Sequence, residues 1–265
     1  MIESRRDFMP SVNACDVHHL VEGPAAAGAV VLSNSLGATL RMWDPQAAAL
    51  AVDSRVLRYD MRGHGRSPVP EPPYTLADLG ADLIALIDRH GIERASLCGV
   101  SLGGMVSMWV AAHAPERVER LVLCSTSALM GPPEAWAERA ALVRRSGMEA
   151  VADTVVARWF TPAFAATDPD VVAAVRADLA ATPPEGYAAC CEVVGAMDLR
   201  ADLGSIRAPT LVIGAEHDPS TPPEHARAIA AGIPGARLVV LPRGAHLVNL
   251  ETPEAVTALI LEHLA

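Results

Sequence analysis

The stretch ASLCGVSLGGMVSMWVAAHAPE, residues 95–116, changes character at one residue. Its first part, Ala95 to Val100, is the short apolar run of a strand covered on both faces. From Gly103 onward the apolar residues continue at the length of a helix. Between the two lies Gly99-Val100-Ser101-Leu102-Gly103, a Gly-x-Ser-x-Gly turn with a serine at its apex. A strand that passes this sharply into a helix needs small residues where the two pack together. The turn then holds the serine outward in a strained backbone conformation. The helix starts directly beneath it, so the partial positive charge of its N-terminus underlies Ser101. A serine between glycines is common by chance, but one with this strand before it and this helix after it is not. Ser101 is therefore a candidate nucleophile.

Working outward, the same alternation recurs. AVVLS (29–33), RVLRYD (55–60), RLVLCST (120–126), PTLVIGA (209–215) and ARLVVLP (236–242) read as further strands with both faces covered. Helices are expected at 75–91, 103–116, 222–233 and 252–265. In the first of these, apolar residues at 76, 79, 83, 86 and 87 form one stripe; Thr75 is a candidate N-cap with Asp78 three residues on, and Gly91 a stop signal. Strand–helix alternation predicts an α/β fold with a mostly parallel, twisted sheet flanked by helices. The alternation breaks over residues 127–207, which are helical in pattern, strandless and punctuated by prolines into about four short helices. This segment reads as a helical cap inserted into a core made of residues 1–126 and 208–265.

A lone serine is a weak nucleophile and needs a base, and the base needs an acid to orient it. In a strand–turn–helix setting of this kind, acid and then histidine are expected at the ends of later strands. GAEHDPSTPP (214–223) offers Glu216 and Asp218, of which Asp218, beginning the loop, is favoured. Of nine histidines, only His246, in the loop after the last strand, follows the acid in such a position. DMRGHGRSP (60–68) reads as a tight turn held by charge-assisted hydrogen bonds, a scaffold beside the site.

The bulk numbers set outer limits. The chain has 265 residues, 51% of them apolar and 20% charged, enough for a large core. Its formal net charge of −10 argues against nucleic acid or an anionic membrane as partner. An anionic substrate would need local cations. Five cysteines, with no Cys-x-x-Cys spacing, suggest reduced thiols rather than disulfides or zinc. The first ten residues, MIESRRDFMP, show no apolar targeting segment, and no apolar run approaches a membrane span. The expectation is a soluble, cytoplasmic protein of undetermined oligomeric state.

Taken in order, SNSLG and MWDPQ, YDMRGHGRS, CGVSLGGM, RWFTP, GAEHDPSTPP and GAHLVNLETPE resemble the α/β-hydrolase superfamily across almost the whole chain. Within it, the chain is similar to the 3-oxoadipate enol-lactonases of the β-ketoadipate pathway of aromatic catabolism. SNSLG, with Asn34-Ser35 where most relatives have His-Gly, and RWFTP are the more particular marks. The resemblance implies an acyl-enzyme mechanism with Ser101, His246 and Asp218 as a triad. It also implies an oxyanion hole from the backbone N–H groups of Leu36 and Leu102, with no metal and no organic cofactor. A lactone substrate carrying a carboxylate would call on Arg139 and Arg158, with Trp136 and Trp159 as walls and Ser35 as a polar contact. The alternatives are a general carboxylesterase or cofactor-free perhydrolase or haloperoxidase on the same fold, and, in another class, a small-molecule receptor. Dehalogenases and epoxide hydrolases place Asp where this chain has Ser101.

Overall fold

The computed structural model describes residues 14–265; the N-terminal stretch read above for targeting signals lies outside them. Seven strands among the described residues are β1 (His19–Glu22), β2 (Ala29–Ser33), β3 (Arg55–Tyr59), β4 (Ala95–Val100), β5 (Val118–Cys124), β6 (Thr210–Ala215) and β7 (Arg237–Leu241). They form one sheet in the order β1-β3-β2-β4-β5-β6-β7. All neighbours run parallel except β1, which pairs antiparallel with β3. The helices of the core are α1 (Asp44–Leu50), α2 (Leu76–Arg89) and α3 (Leu102–His113). Between β5 and β6 come α4 (Pro133–Ser146), α5 (Glu149–Val156), α6 (Pro162–Thr167), α7 (Pro169–Ala180) and α8 (Pro184–Ala196). After β6 follow α9 (Pro223–Gly232), α10 (Val248–Glu251) and α11 (Pro253–Leu264). This is the expected α/β architecture.

The differences from the sequence reading have local causes. The strand β1 went unseen because His19-Leu20-Val21-Glu22 is short, and its apolar pair is about 40% exposed at the sheet edge. The strand β7 was expected to be covered on both faces; it is the opposite edge, and only its C-terminal half is partly buried. Residues 133–196 hold five helices rather than about four, because Pro162 and Pro169 each start a helix of their own. The ends of α2 follow the reading closely. The Thr75 hydroxyl accepts from the Asp78 N–H, and the Asp78 carboxylate accepts from the Thr75 N–H. Gly91, at φ +64°, closes the helix, with its N–H on the Asp88 carbonyl and the Ile92 N–H on Ile87.

What positions the site is the strand order. The chain passes from β2 to β3 on one side, then returns across β2 to β4 on the other. A crevice therefore opens at the C-terminal ends of β2 and β4, where an open α/β sheet characteristically binds ligands. Register places Ser33 opposite Gly99, so the loop after β2 and the turn after β4 face one another across that crevice.

Candidate active site

Ser101 sits at the apex of the turn between β4 and α3 with φ 55° and ψ −118°, a conformation costly for a side-chain-bearing residue. The surrounding bonds hold it there. Its N–H donates to the Cys124 carbonyl at 3.0 Å, and its own carbonyl accepts the Thr126 hydroxyl at 2.6 Å. The glycines are required by space. A Cβ on Gly99 would lie 2.3 Å from the Gly103 backbone, and one on Gly103 would lie 2.2 Å from the Ser33 carbonyl oxygen. The closeness of that second contact lets the Gly103 N–H donate to Asn34 at 2.9 Å, which binds the loop after β2 directly to α3.

The loop Asn34–Gly37 is anchored on every side but one. Asn34 donates to the Tyr59 carbonyl at 2.8 Å, and the Ser35 N–H donates to the Met42 sulfur at 3.3 Å. The N–H groups of Leu36 and Leu102 have no acceptor among the described residues. Leu102 follows Ser101 in the chain, and Leu36 lines the same cavity as Ser101. Beneath this loop, the Asp60 carboxylate accepts the N–H groups of Leu40 at 2.7 Å and Arg66 at 3.0 Å and meets His18 Nδ1 at 2.9 Å. Arg62 forks onto buried Asp82 with two bonds of 2.7 Å. The RGHGR turn is thus tied down through Asp60 and Asp82, with Arg62, Gly63 and His64 buried and Gly65 and Arg66 exposed.

His246 is buried in the loop after β7, and its Nδ1 lies 2.9 Å from Asp218 Oδ2. Asp218 is buried in turn and accepts the N–H groups of Ser220 at 2.8 Å and Thr221 at 3.0 Å, and the Thr221 hydroxyl at 2.6 Å. Burial alone would raise the Asp218 carboxyl; His246 and the Thr221 bonds outweigh it and hold the acid well below the usual carboxylate range. Glu216, the alternative acid, is exposed, and no bond joins it to His246. Thr221 was missed by sequence reasoning, although its place three residues after the acid in DPSTPP was the available signal.

Ser101 and His246 open into one cavity, and Ser35, Leu36, Trp136, Arg139, Arg158 and Trp159 line it with them. Its other walls include Met105, Met130, Val155, Tyr187 and Val194. Met105, Val155, Tyr187 and Val194 come from helices whose inward faces the sequence did not distinguish, and Met130 from the loop before α4. Among the described residues, no carboxylate lines the cavity, whereas two guanidinium groups do. Arg139 lies over the Trp136 ring at 4.7 Å, and Arg158 donates to the Pro219 carbonyl at 2.7 Å. Neither arginine has a carboxylate partner among the described residues. All five cysteines are free thiols. Burial pushes Cys191, on α8, up to about 12. Among the described residues, no helix is long and apolar enough to cross a membrane.

The alpha/beta hydrolase fold family matches residues 28–253 of the chain. The chain belongs to that family. The 3-oxoadipate enol-lactonase 2 of Acinetobacter baylyi is 40% identical over 250 residues, covering 94% of this chain and 93% of its own. The crystal structure of an enol-lactonase from Burkholderia xenovorans superposes with a TM-score of 0.92 at 42% identity, covering 95% of this chain and 98% of that one. A thermophilic esterase from Thermogutta terrifontis, solved with malate bound, gives a TM-score of 0.89 at 32% identity, covering 94% and 92%. Within its family the chain is an enzyme of the lactone- and ester-hydrolysing kind.

Proposed function

We propose that the chain is a serine hydrolase that opens 3-oxoadipate enol-lactone to 3-oxoadipate, as a step of the β-ketoadipate pathway. The observation that carries the substrate choice is the cavity: a nucleophile-and-histidine pair facing two carboxylate-free arginines, in a protein of net charge −10. A neutral ester gives no reason for two guanidinium groups, Arg139 half-buried and Arg158 exposed at the rim, both without a carboxylate partner among the described residues; a lactone bearing a carboxylate does. The enol-lactonase relatives support the same substrate.

Ser101 Oγ attacks the lactone carbonyl while His246 takes its proton, and Asp218 holds the imidazole through Nδ1. The developing oxyanion is met by the free N–H groups of Leu36 and Leu102, each donor of this kind being worth about 3 kcal/mol of barrier. His246 then protonates the departing enol oxygen, which stays tethered because the ester is cyclic. Water attacks the acyl-enzyme with His246 as base again, releasing Ser101, and the enol tautomerises to the ketone. The helices of residues 127–207 act as a cap, bringing Arg139, Arg158, Trp136 and Trp159 over the nucleophile. No step in this scheme requires a metal or an organic cofactor. The test compares loss of the enol-lactone with hydrolysis of p-nitrophenyl acetate. A higher kcat/KM on the lactone, abolished in Ser101→Ala, is expected; equal or better turnover of the simple ester would favour a general carboxylesterase instead.

A further inference from the structure

Two stretches that stand apart from the nucleophile, RWFTP (158–162) and GAHLVNLETPE (244–254), meet beside the cavity through one carboxylate. Glu251 Oε2 accepts the N–H of Thr161 at 3.1 Å and the N–H of Ala245 at 3.0 Å. Glu251 Oε1 accepts the Thr161 hydroxyl in a short bond. One further bond joins the same segments, and another ties the first of them to the loop after β6. The Leu247 N–H donates to the Trp159 carbonyl at 3.0 Å, and Arg158 donates to the Pro219 carbonyl at 2.7 Å. Ala245 and Leu247 flank His246, and Pro219 follows Asp218. Three of the four residues from 158 to 161 are therefore bonded to a direct neighbour of the histidine or the acid, or to Glu251, which itself holds such a neighbour.

We propose that Glu251 is a positioning residue: its carboxylate clamps Thr161 to Ala245, so that the cavity wall bearing Arg158 and Trp159 and the loop bearing His246 form one rigid unit. This rests on the function proposed above, in which that wall receives the substrate carboxylate. The physical case is that of a negatively charged acceptor shared by three donors, stronger and more directional than bonds between neutral groups. Neither segment alone sets the distance between Arg158 and His246. The covalent path between them runs through α6 to α9 and β7, whereas the Glu251 path crosses a single side chain. Glu251 does not touch the cavity and takes no part in bond making.

The test uses two esters of one leaving group, neutral p-nitrophenyl acetate and the carboxylate-bearing p-nitrophenyl hydrogen succinate. Thr161→Val removes the hydroxyl donor and leaves the Ala245 bond in place. It is expected to lower the ratio of anionic to neutral kcat/KM about ten-fold, through KM. Thr161→Ser is expected to restore the ratio. Glu251→Gln is expected to lower kcat on the neutral ester as well, and adding Thr161→Val to it should cost little more, since both changes cut one clamp. Hydrogen exchange read by mass spectrometry supplies a measure independent of turnover: the peptide containing Ala245–Leu247 should exchange faster in Thr161→Val. An unchanged ester ratio, a parallel loss on both esters that follows thermal stability, or unchanged exchange at 245–247 would overturn the clamp. A wild-type enzyme that hydrolyses both esters but not the lactone would overturn the substrate assignment, and the ester ratio and exchange would still decide on the clamp.

Discussion

At the scale of single residues, the proposed chemistry depends on how Asp218 is held. Buried against His246 and bonded by Thr221, it stays ionised where an isolated buried acid would not. Asp218→Asn is expected to lower kcat by about 10⁴-fold, because the amide favours the wrong imidazole tautomer. The same carboxyl also bears on stability. Its folded-state pKa lies below its unfolded value of about 3.9. Its contribution is therefore present above that pH and lost as the pH falls through the lowered value. Urea midpoints followed from about pH 5 to about pH 3 should fall more steeply in the wild type than in Asp218→Asn.

At the scale of elements, the packing of α3 against the loop after β2 leaves no room for a methyl group. Gly103→Ala would drive a Cβ into the Ser33 backbone, and neither element can move without displacing the Leu36 and Leu102 N–H groups. A destabilisation of about 2–3 kcal/mol is expected, with loss of activity larger than the unfolded fraction explains. Gly204→Ala, at a glycine whose Cβ would meet nothing within 4 Å, serves as the control and should change stability by less than about 0.5 kcal/mol. Denaturant titration alongside kcat/KM checks both. The element reading also shows why β1 escaped notice and α2 did not. A helix announces itself by a stripe and two caps, whereas a four-residue edge strand has neither periodicity nor burial to display.

At the scale of the whole molecule, the charge balance is the deciding feature. A surface of net charge −10 repels anions, so an anionic substrate must be drawn by the cavity's own arginines. In the proposed function, Arg139, stacked on Trp136 with no carboxylate partner among the described residues, meets such a substrate. Arg139→Gln is expected to raise KM for the enol-lactone about ten-fold or more while leaving p-nitrophenyl acetate within about two-fold, the loss of one hydrogen bond to a charged group. Steady-state kinetics on the two substrates measures it. A proportional loss on both would assign Arg139 to cap stability instead.

The amino-acid sequence by itself determined the alternation of strands and helices, the strained turn at Ser101 and the order in which Asp218 and His246 follow it. These are carried by local periodicity, by small residues and by chain position, all of which can be read along one dimension. Only the tertiary structure decided the rest. It set Asp218 rather than Glu216 against His246, brought Leu36 and two arginines to the walls of one cavity with Ser101, and joined Thr161 to Glu251 across ninety residues of chain. Those relations depend on which faces pack together and on the strand order that reverses at β2. Contacts between distant segments leave no periodic trace in either segment.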